Sequence, residues 1–362
     1  MIRRIVATIL IVAMLLCCGC TQQAAEDTVS FGEDWLLNTY CYIKILEPEK
    51  DETIKDCFKL ARSLEGELSK TIESSAVSKI NKAPAKTGFN CDDPEFVNAG
   101  VVLGNAIDFE VLSGGDFTAS IGPVSNLWDF TSGEGKAPAE EEIQNALKVV
   151  GTKMIWINED GSIEKTADEV QIDFGAIAKG HIASQCANFL RDSGVQRAIL
   201  SFGGNIVLLG QKEDQSPWAV GIEAPTREHG DEVLEERESI GMVSWDGASG
   251  DTDALANGMV PAMSIVTSGT YERYIEDGGK IYHHILDPKT GRSAETDLVS
   301  ATIIGPDSMQ CDALATIAIL KGSSAAQEFL EEYKNASLGQ YEYVLITEAG
   351  EIIKSAGSNF TE

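Results

Sequence analysis

The spacing of hydrophobic positions changes period along this chain, and each change marks an element. Residues 37–45 alternate polar and apolar and are rich in aromatic and β-branched side chains, which predicts a strand. Ile54, Phe58, Ala61, Leu64 and Leu68 then recur every three or four residues, predicting a helix over 51–68, with a loop and short helix over 69–81. Phe96, Val97, Val101, Ile107 and Val111 place a second long helix over 92–112, which Ser113-Gly114-Gly115 breaks. A short helix with an acidic first turn follows over 138–149. Val170, Ile172 and Phe174 alternate with Gln171 and Asp173, a strand pattern, and Ile182, Cys186, Phe189 and Leu190 define a helix over 178–191 that ends before Gly194. Strands over 197–202 and 206–209 flank a Gly203-Gly204 turn, and further short strands fall at 264–267, 298–304 and 343–347. Asp307-x-x-Gln310 resembles a capping box opening a helix that Gly322 closes. Residues 226–259, acidic and glycine-rich around Trp245, read as a surface excursion or hairpin. Helices and strands mix without steady alternation, so the class is α+β, with no repeat and no linker dividing the chain.

The N-terminus stands apart. Arg3 and Arg4 precede an apolar run from Ile5 to Leu16, too short to span a membrane and suited to a secretory signal. Gly19-Cys20, followed by Thr21-Gln22-Gln23, looks like a bacterial lipobox, which makes residues 1–20 a lipoprotein signal peptide and Cys20 the lipidation site, with Cys18 a lesser alternative. Residues 21–33 then form a tether to a domain over 34–362, and the protein is expected at the extracytoplasmic face of the cell membrane. Cys41, Cys57, Cys91, Cys186 and Cys311 remain; no pair has zinc spacing, an odd number cannot all pair, and Cys41, Cys186 and Cys311 sit in apolar runs as core thiols.

The chain carries a net charge of −29, or −31 once residues 1–20 and their two arginines are gone. That excess opposes binding to nucleic acid and to anionic lipid, so membrane attachment must come from acyl chains. An anionic ligand needs local help from a metal, a helix N-terminus or a single lysine.

Tyr282-His283-His284-Ile285-Leu286-Asp287-Pro288 holds two of the four histidines, and Asp312 and Thr316 lie one helical turn apart downstream. A carboxylate and a hydroxyl on one helix face suit a hard cation beside a phosphate. The same residues also fit a buried helix with a satisfied histidine and a threonine bonded to its own turn. Asp173-Phe174-Gly175 copies a kinase tripeptide, but the chain has no accompanying glycine-rich loop or His-Arg-Asp motif.

Four blocks taken together resemble the ApbE family of flavin transferases. They are Ser113-Gly114-Gly115-x-Phe117 with Gly122-Pro123-x-x-Asn126-Leu127-Trp128; Asp173-Phe174-Gly175-Ala176-Ile177-Ala178-Lys179-Gly180; Thr267-Ser268-Gly269-x-Tyr271; and His284-Ile285-Leu286-Asp287-Pro288-x-Thr290-Gly291 with Asp312-Ala313-Leu314-x-Thr316. The resemblance implies a single T-fold-related α+β domain that takes FAD as substrate, uses Mg²⁺, and transfers FMN to a Thr or Ser of a target protein with release of AMP. By position it implies metal ligands at the side chains of Asp312 and Thr316 and the carbonyl of Ala176. FAD contacts are implied at Leu37, Thr71, Asp116, Phe117, Thr118, Asp173, Lys179, Ser268, Gly269 and Leu286, and the catalytic base at His284. The implied acceptor is another extracytoplasmic protein, such as a flavoprotein subunit of a membrane redox complex. His283, His181 and His229 fall outside the implied roles.

The chain departs from the family pattern in places: Leu37-Asn38-Thr39 stands for Met-Gly-Thr, Phe117-Thr118 for Phe-Asp, Thr71 for a tyrosine found in some members, and Ala315 for an acid that joins the metal site in some. Residues 226–259 are longer than usual. Asp297 to Thr302 is similar to the acceptor pattern of family targets, but it is one residue short and lies in an expected core strand, so self-modification is not expected. Two rival readings use the same residues: an FAD pyrophosphatase with water as acceptor, and a non-enzymatic flavin- or solute-binding lipoprotein.

Overall fold

The computed structural model describes residues 29–130, 135–226, 238–337 and 340–362. Cys20, the signal peptide, most of the expected tether and His229 lie outside the described residues, and among these no helix is long and apolar enough to cross a membrane.

The framework is an eight-stranded antiparallel sheet whose spatial order follows the chain: β1 (Ser30–Leu36), β2 (Thr39–Ile45), β3 (Ala198–Phe202), β4 (Asn205–Leu209), β5 (Ala262–Gly269), β6 (Leu298–Gly305), β7 (Glu342–Thr347) and β8 (Ile352–Lys354). Apart from the final strand Phe360–Thr361, the other elements are inserted between neighbours. The β2–β3 connection carries α1 (Asp51–Leu68), α2 (Ala76–Lys82), α3 (Val97–Ser113), α4 (Gly122–Trp128), α5 (Glu140–Leu147) and α6 (Ala178–Asp192). The β4–β5 connection carries α7 (Thr252–Ala256), and β6 leads into α8 (Ser308–Ala336).

Side chains alternate across a strand, so each face of the sheet has its own cover. Cys41, Ile43, Leu200, Phe202, Val266, Ala301 and Ile303 point to α1, α6 and α8 and make the main core. Leu208, Met263, Ile265, Ile304 and Val344 point the other way, onto a three-stranded sheet built from Trp218–Glu223, Ser239–Trp245 and Phe360–Thr361. A third cluster of Val124, Trp128, Ile143, Ile275 and Leu286 joins α4 and α5 to the β5–β6 connection, with the Trp128 indole donating to the Gly291 carbonyl at 2.9 Å.

Several elements differ from the sequence reading. The expected strand over 37–45 is the second half of a hairpin: Leu37 and Asn38 form its turn with φ of 57° and 55°, and β1 starts at Ser30, inside the stretch 21–33 expected as a tether, and ends at Leu36 in the expected domain. Residues 170–174 alternate in burial as read but join no ladder. Their backbone donors go elsewhere, Ile172 N–H to Asn81 Oδ1 at 2.6 Å and Asp173 N–H to the Ala119 carbonyl at 2.9 Å. The 226–259 stretch is a hairpin arm rather than a surface excursion: Ser239–Trp245 pairs antiparallel with Trp218–Glu223, and Trp245 is buried. Only half of the capping box forms. Asp307 accepts from the N–H groups of Met309 and Gln310, while the Gln310 side chain turns away to accept from the hydroxyls of Tyr333 and Tyr341 at 2.6 and 2.8 Å. Gly322, at φ 73°, breaks the helix direction, and helical residues resume beyond it. The core thiols are as expected, and Cys57 joins them.

The start of α6 packs directly on the start of α8. A Cβ at Gly180 would lie 2.2 Å from the Ser308 carbonyl oxygen and 2.6 Å from the Met309 Cα, backbone atoms that cannot step aside. Gly180→Ala is therefore expected to lower the urea midpoint, by about 1–3 kcal/mol of overpacking. An unchanged midpoint would show that the two helices have room to part.

Candidate active site

The close approach at Gly180 builds the centre of the site. In a regular first turn the Gly180 N–H would bond the Ala176 carbonyl. Instead it donates to Asp312 Oδ2 at 2.8 Å, and among the described residues the Ala176 carbonyl receives no backbone donor. Asp312, 1% exposed, also faces the Lys179 ammonium at 3.4 Å through Oδ1. One turn along α8, the Thr316 hydroxyl meets the Ser268 hydroxyl at 3.4 Å, because Ser268 shares the helix-facing side of β5 with Val266. A carboxylate and a hydroxyl thus stand one turn apart on α8 where α6, α8 and β5 converge, and a backbone carbonyl without its helical donor lies just before α6. These are oxygen donors of the kind a hard cation takes. Among the described residues no three His, Cys, Asp or Glu side chains cluster to hold a metal, so any cation here would rely on this sparse set and on ligand oxygens.

His284 stands beside this junction. Its backbone N–H and its ring Nδ1 both contact the Arg273 carbonyl, at 3.0 and 3.3 Å. A carbonyl can only accept, so Nδ1 carries the proton and Nε2 keeps its lone pair. Burial, helped by the positive charges of Arg273 and Lys179, pushes the imidazole down to about 3, so the ring is neutral throughout the physiological range. Glu272 lies in the same field, with its surface reaching solvent. Desolvation raises its carboxyl to about 7 against the pull of Lys179 and Arg273, with Asp312 adding repulsion. Neither Glu272 nor Arg273 was singled out from sequence. Their adjacency to Tyr271 in the third block was the available signal.

Asp173 is held by a second group of contacts. Its Oδ2 accepts from Lys70 Nζ at 2.8 Å and Ser125 Oγ at 2.6 Å, and its Oδ1 from the Gly175 N–H at 2.9 Å. Burial pushes this carboxyl up, but the Lys70 charge and these bonds outweigh it and hold it below the usual carboxylate range. Asp116 is likewise gripped, by Lys289 at 2.5 Å and Lys321 at 2.7 Å, which overcome its partial burial and keep it ionised.

The remaining expected contacts are distributed unevenly. Phe117 and Thr118 are buried at 4% and 6%, with Thr118 capping the short 3₁₀ turn that follows, so they shape the loop from beneath. Leu286 lies in the cluster around Trp128, and Gly269 is buried against the ring of Tyr271. Thr71 is exposed on the loop after α1, its hydroxyl 3.0 Å from that of Ser69. Leu37 occupies the hairpin turn, its N–H bonded to Glu65 Oε1 at 2.9 Å. His283 is buried, its Nε2 3.1 Å from the Ala294 carbonyl. His181 contacts Asn98 on α3 through Nε2 at 3.1 Å, and burial lowers its pKa to about 4.

An α+β scaffold that brings a lysine, a helix N-terminus and a buried carboxylate together, with a neutral imidazole in the same field, has the parts of a phosphate-handling site. Residues 37–338 match the model of the ApbE family, and the chain belongs to that family. Among curated relatives, the FAD:protein FMN transferase of Treponema pallidum is 28% identical over 345 residues, covering 89% of this chain and 88% of its own length. That of Klebsiella pneumoniae is 28% identical over 307 residues, covering 83% and 85%. Of solved structures, the ApbE protein of Thermotoga maritima superposes with a TM-score of 0.75 at 25% identity, covering 91% of this chain and 97% of that one.

Both depressed histidines tie stability to pH. The unfolded chain takes up protons at His284 and His181 near pH 6.5, while the folded chain holds both neutral until about 3 and about 4. Their contribution is therefore present above pH 6.5 and is lost progressively as pH falls below it. An NMR titration of the imidazoles without added ligand is expected to show both still neutral at pH 5.5. A His284 transition between pH 6 and 7 would contradict the burial argument.

Proposed function

We propose that this protein transfers FMN from FAD to a threonine or serine hydroxyl of another protein and releases AMP. The observation that carries the reading is that Lys179, from the second block of the ApbE resemblance, lies 3.4 Å from Asp312, from the fourth, and that its charge also reaches His284 of that fourth block. In the proposed step the acceptor hydroxyl gives its proton to His284 Nε2. Its oxygen attacks the phosphorus on the FMN side of the pyrophosphate, and the bond to the AMP phosphate breaks, AMP leaving with the electron pair. The neutral, Nδ1-anchored ring suits the base role because its free nitrogen needs no prior deprotonation.

Lys179, in the first turn of α6, and the N–H groups at that helix end would bind the pyrophosphate oxygens, a local positive spot on a chain of −29. Asp312, Thr316 and the Ala176 carbonyl are the residues that would hold Mg²⁺, which when bound neutralises charge on the pyrophosphate. With lipid on Cys20 the protein would work at the extracytoplasmic membrane face, on a flavoprotein subunit of a membrane redox complex.

The test is to mix purified protein, FAD, Mg²⁺ and an acceptor domain and weigh the acceptor. A mass gain equal to one FMN moiety is expected, and Asp312→Ala should slow it by roughly 100-fold at fixed Mg²⁺. FMN and AMP formed equally fast without acceptor would favour hydrolysis instead. No gain on any acceptor, beside a working control enzyme, would defeat the transferase reading.

A further inference from the structure

We infer that Lys70 is a positioning residue for the turn that carries Ala176 and Lys179, acting through Asp173; the consequence for FAD rests on the transferase reading above. Lys70 lies in the loop between α1 and α2, and its carbonyl accepts from the Ser78 hydroxyl at 3.1 Å, which ties that loop to α2. Its ammonium has three donors. They meet Ser125 Oγ at 2.7 Å, Asn126 Oδ1 at 2.8 Å and Asp173 Oδ2 at 2.8 Å. Two of these acceptors are on α4 and the third is on the segment leading into α6, so one side chain joins three separate stretches of chain. That side chain is 25% exposed, and its partner carboxylate 16%.

From Lys70 the contacts run in one direction. Asp173 Oδ1 accepts from the Gly175 N–H at 2.9 Å, which opens the turn Gly175-Ala176-Ile177. That turn presents the Ala176 carbonyl and leads directly into Lys179 and Gly180, whose contacts fix Asp312. With Lys70 removed, a largely buried carboxylate would lose its counter-charge, and its bond to Gly175 would weaken as it took up a proton. The turn would then sample other conformations. Because the turn would bind the nucleotide before and during the reaction alike, the loss would appear in substrate binding more than in the chemical step.

The experiment compares Lys70→Met, Lys70→Arg and Asp173→Asn in the full chain. Amide hydrogen exchange without ligand is expected to speed up across residues 173–180 in Lys70→Met more than in the rest of the chain, and to return towards wild type in Lys70→Arg. FAD titration and transfer kinetics should then show Kd and KM for FAD raised about tenfold with kcat within about threefold, the size expected for one charge-assisted contact. The double variant Lys70→Met with Asp173→Asn should be little worse than either single one, because both interrupt the same path. Unchanged exchange across 173–180, unchanged FAD affinity, or fully additive effects in the double variant would overturn the inference. A wild-type protein that binds no FAD would instead overturn the transferase reading, and the exchange data would still decide the role of Lys70 in the turn.

Discussion

The structure depends on one close contact: the first turn of α6 lying against the first turn of α8. Gly180 permits it, since any side chain there would strike the backbone at Ser308. The contact has two results. It lets a helix N–H leave its usual partner and bond Asp312, which supplies the buried carboxylate with a donor, and it leaves the Ala176 carbonyl without that helical donor. A buried carboxylate without such partners would take up a proton. Packing and site chemistry are therefore one constraint.

Electrostatics follow the same economy. A chain with 57 acidic and 28 basic side chains has few cations to spare, and several stand around this site. Lys179 faces Asp312, Lys70 faces Asp173, and Lys289 and Lys321 share Asp116. The three carboxylates they hold come from three different blocks, so the blocks are joined by charge as well as by packing. His284 is treated in the opposite way: burial and nearby positive charge keep it neutral, and the Arg273 carbonyl sets its tautomer.

Much of this was legible in the sequence, and the failures have physical causes. The helix over 51–68 and the pairing of Asp312 with Thr316 followed from spacing, because helical periodicity reports burial directly. β1 was missed because it is an edge strand that exposes Phe31, Glu33 and Trp35, so it lacks a clean apolar pattern. The 170–174 stretch was misread because alternation records which side chains are buried, while the backbone bonds that make a strand went to Asn81 and Ala119. Lys70 was invisible for another reason: its partner Asp173 lies far along the chain, and no local pattern announces a long-range ion pair. The tautomer of His284 depends on a backbone carbonyl, which residue identity does not encode.

In the proposed reaction the α6–α8 junction would hold a divalent cation against the pyrophosphate of FAD. The most direct measurement is anomalous diffraction from crystals grown with FAD and Mn²⁺ in place of Mg²⁺. A metal peak is expected, bounded by the Asp312 carboxylate, the Thr316 hydroxyl and the Ala176 carbonyl, with FAD phosphates beside Lys179. Bound FAD with the metal held by other residues, or with no metal at the junction, would contradict it.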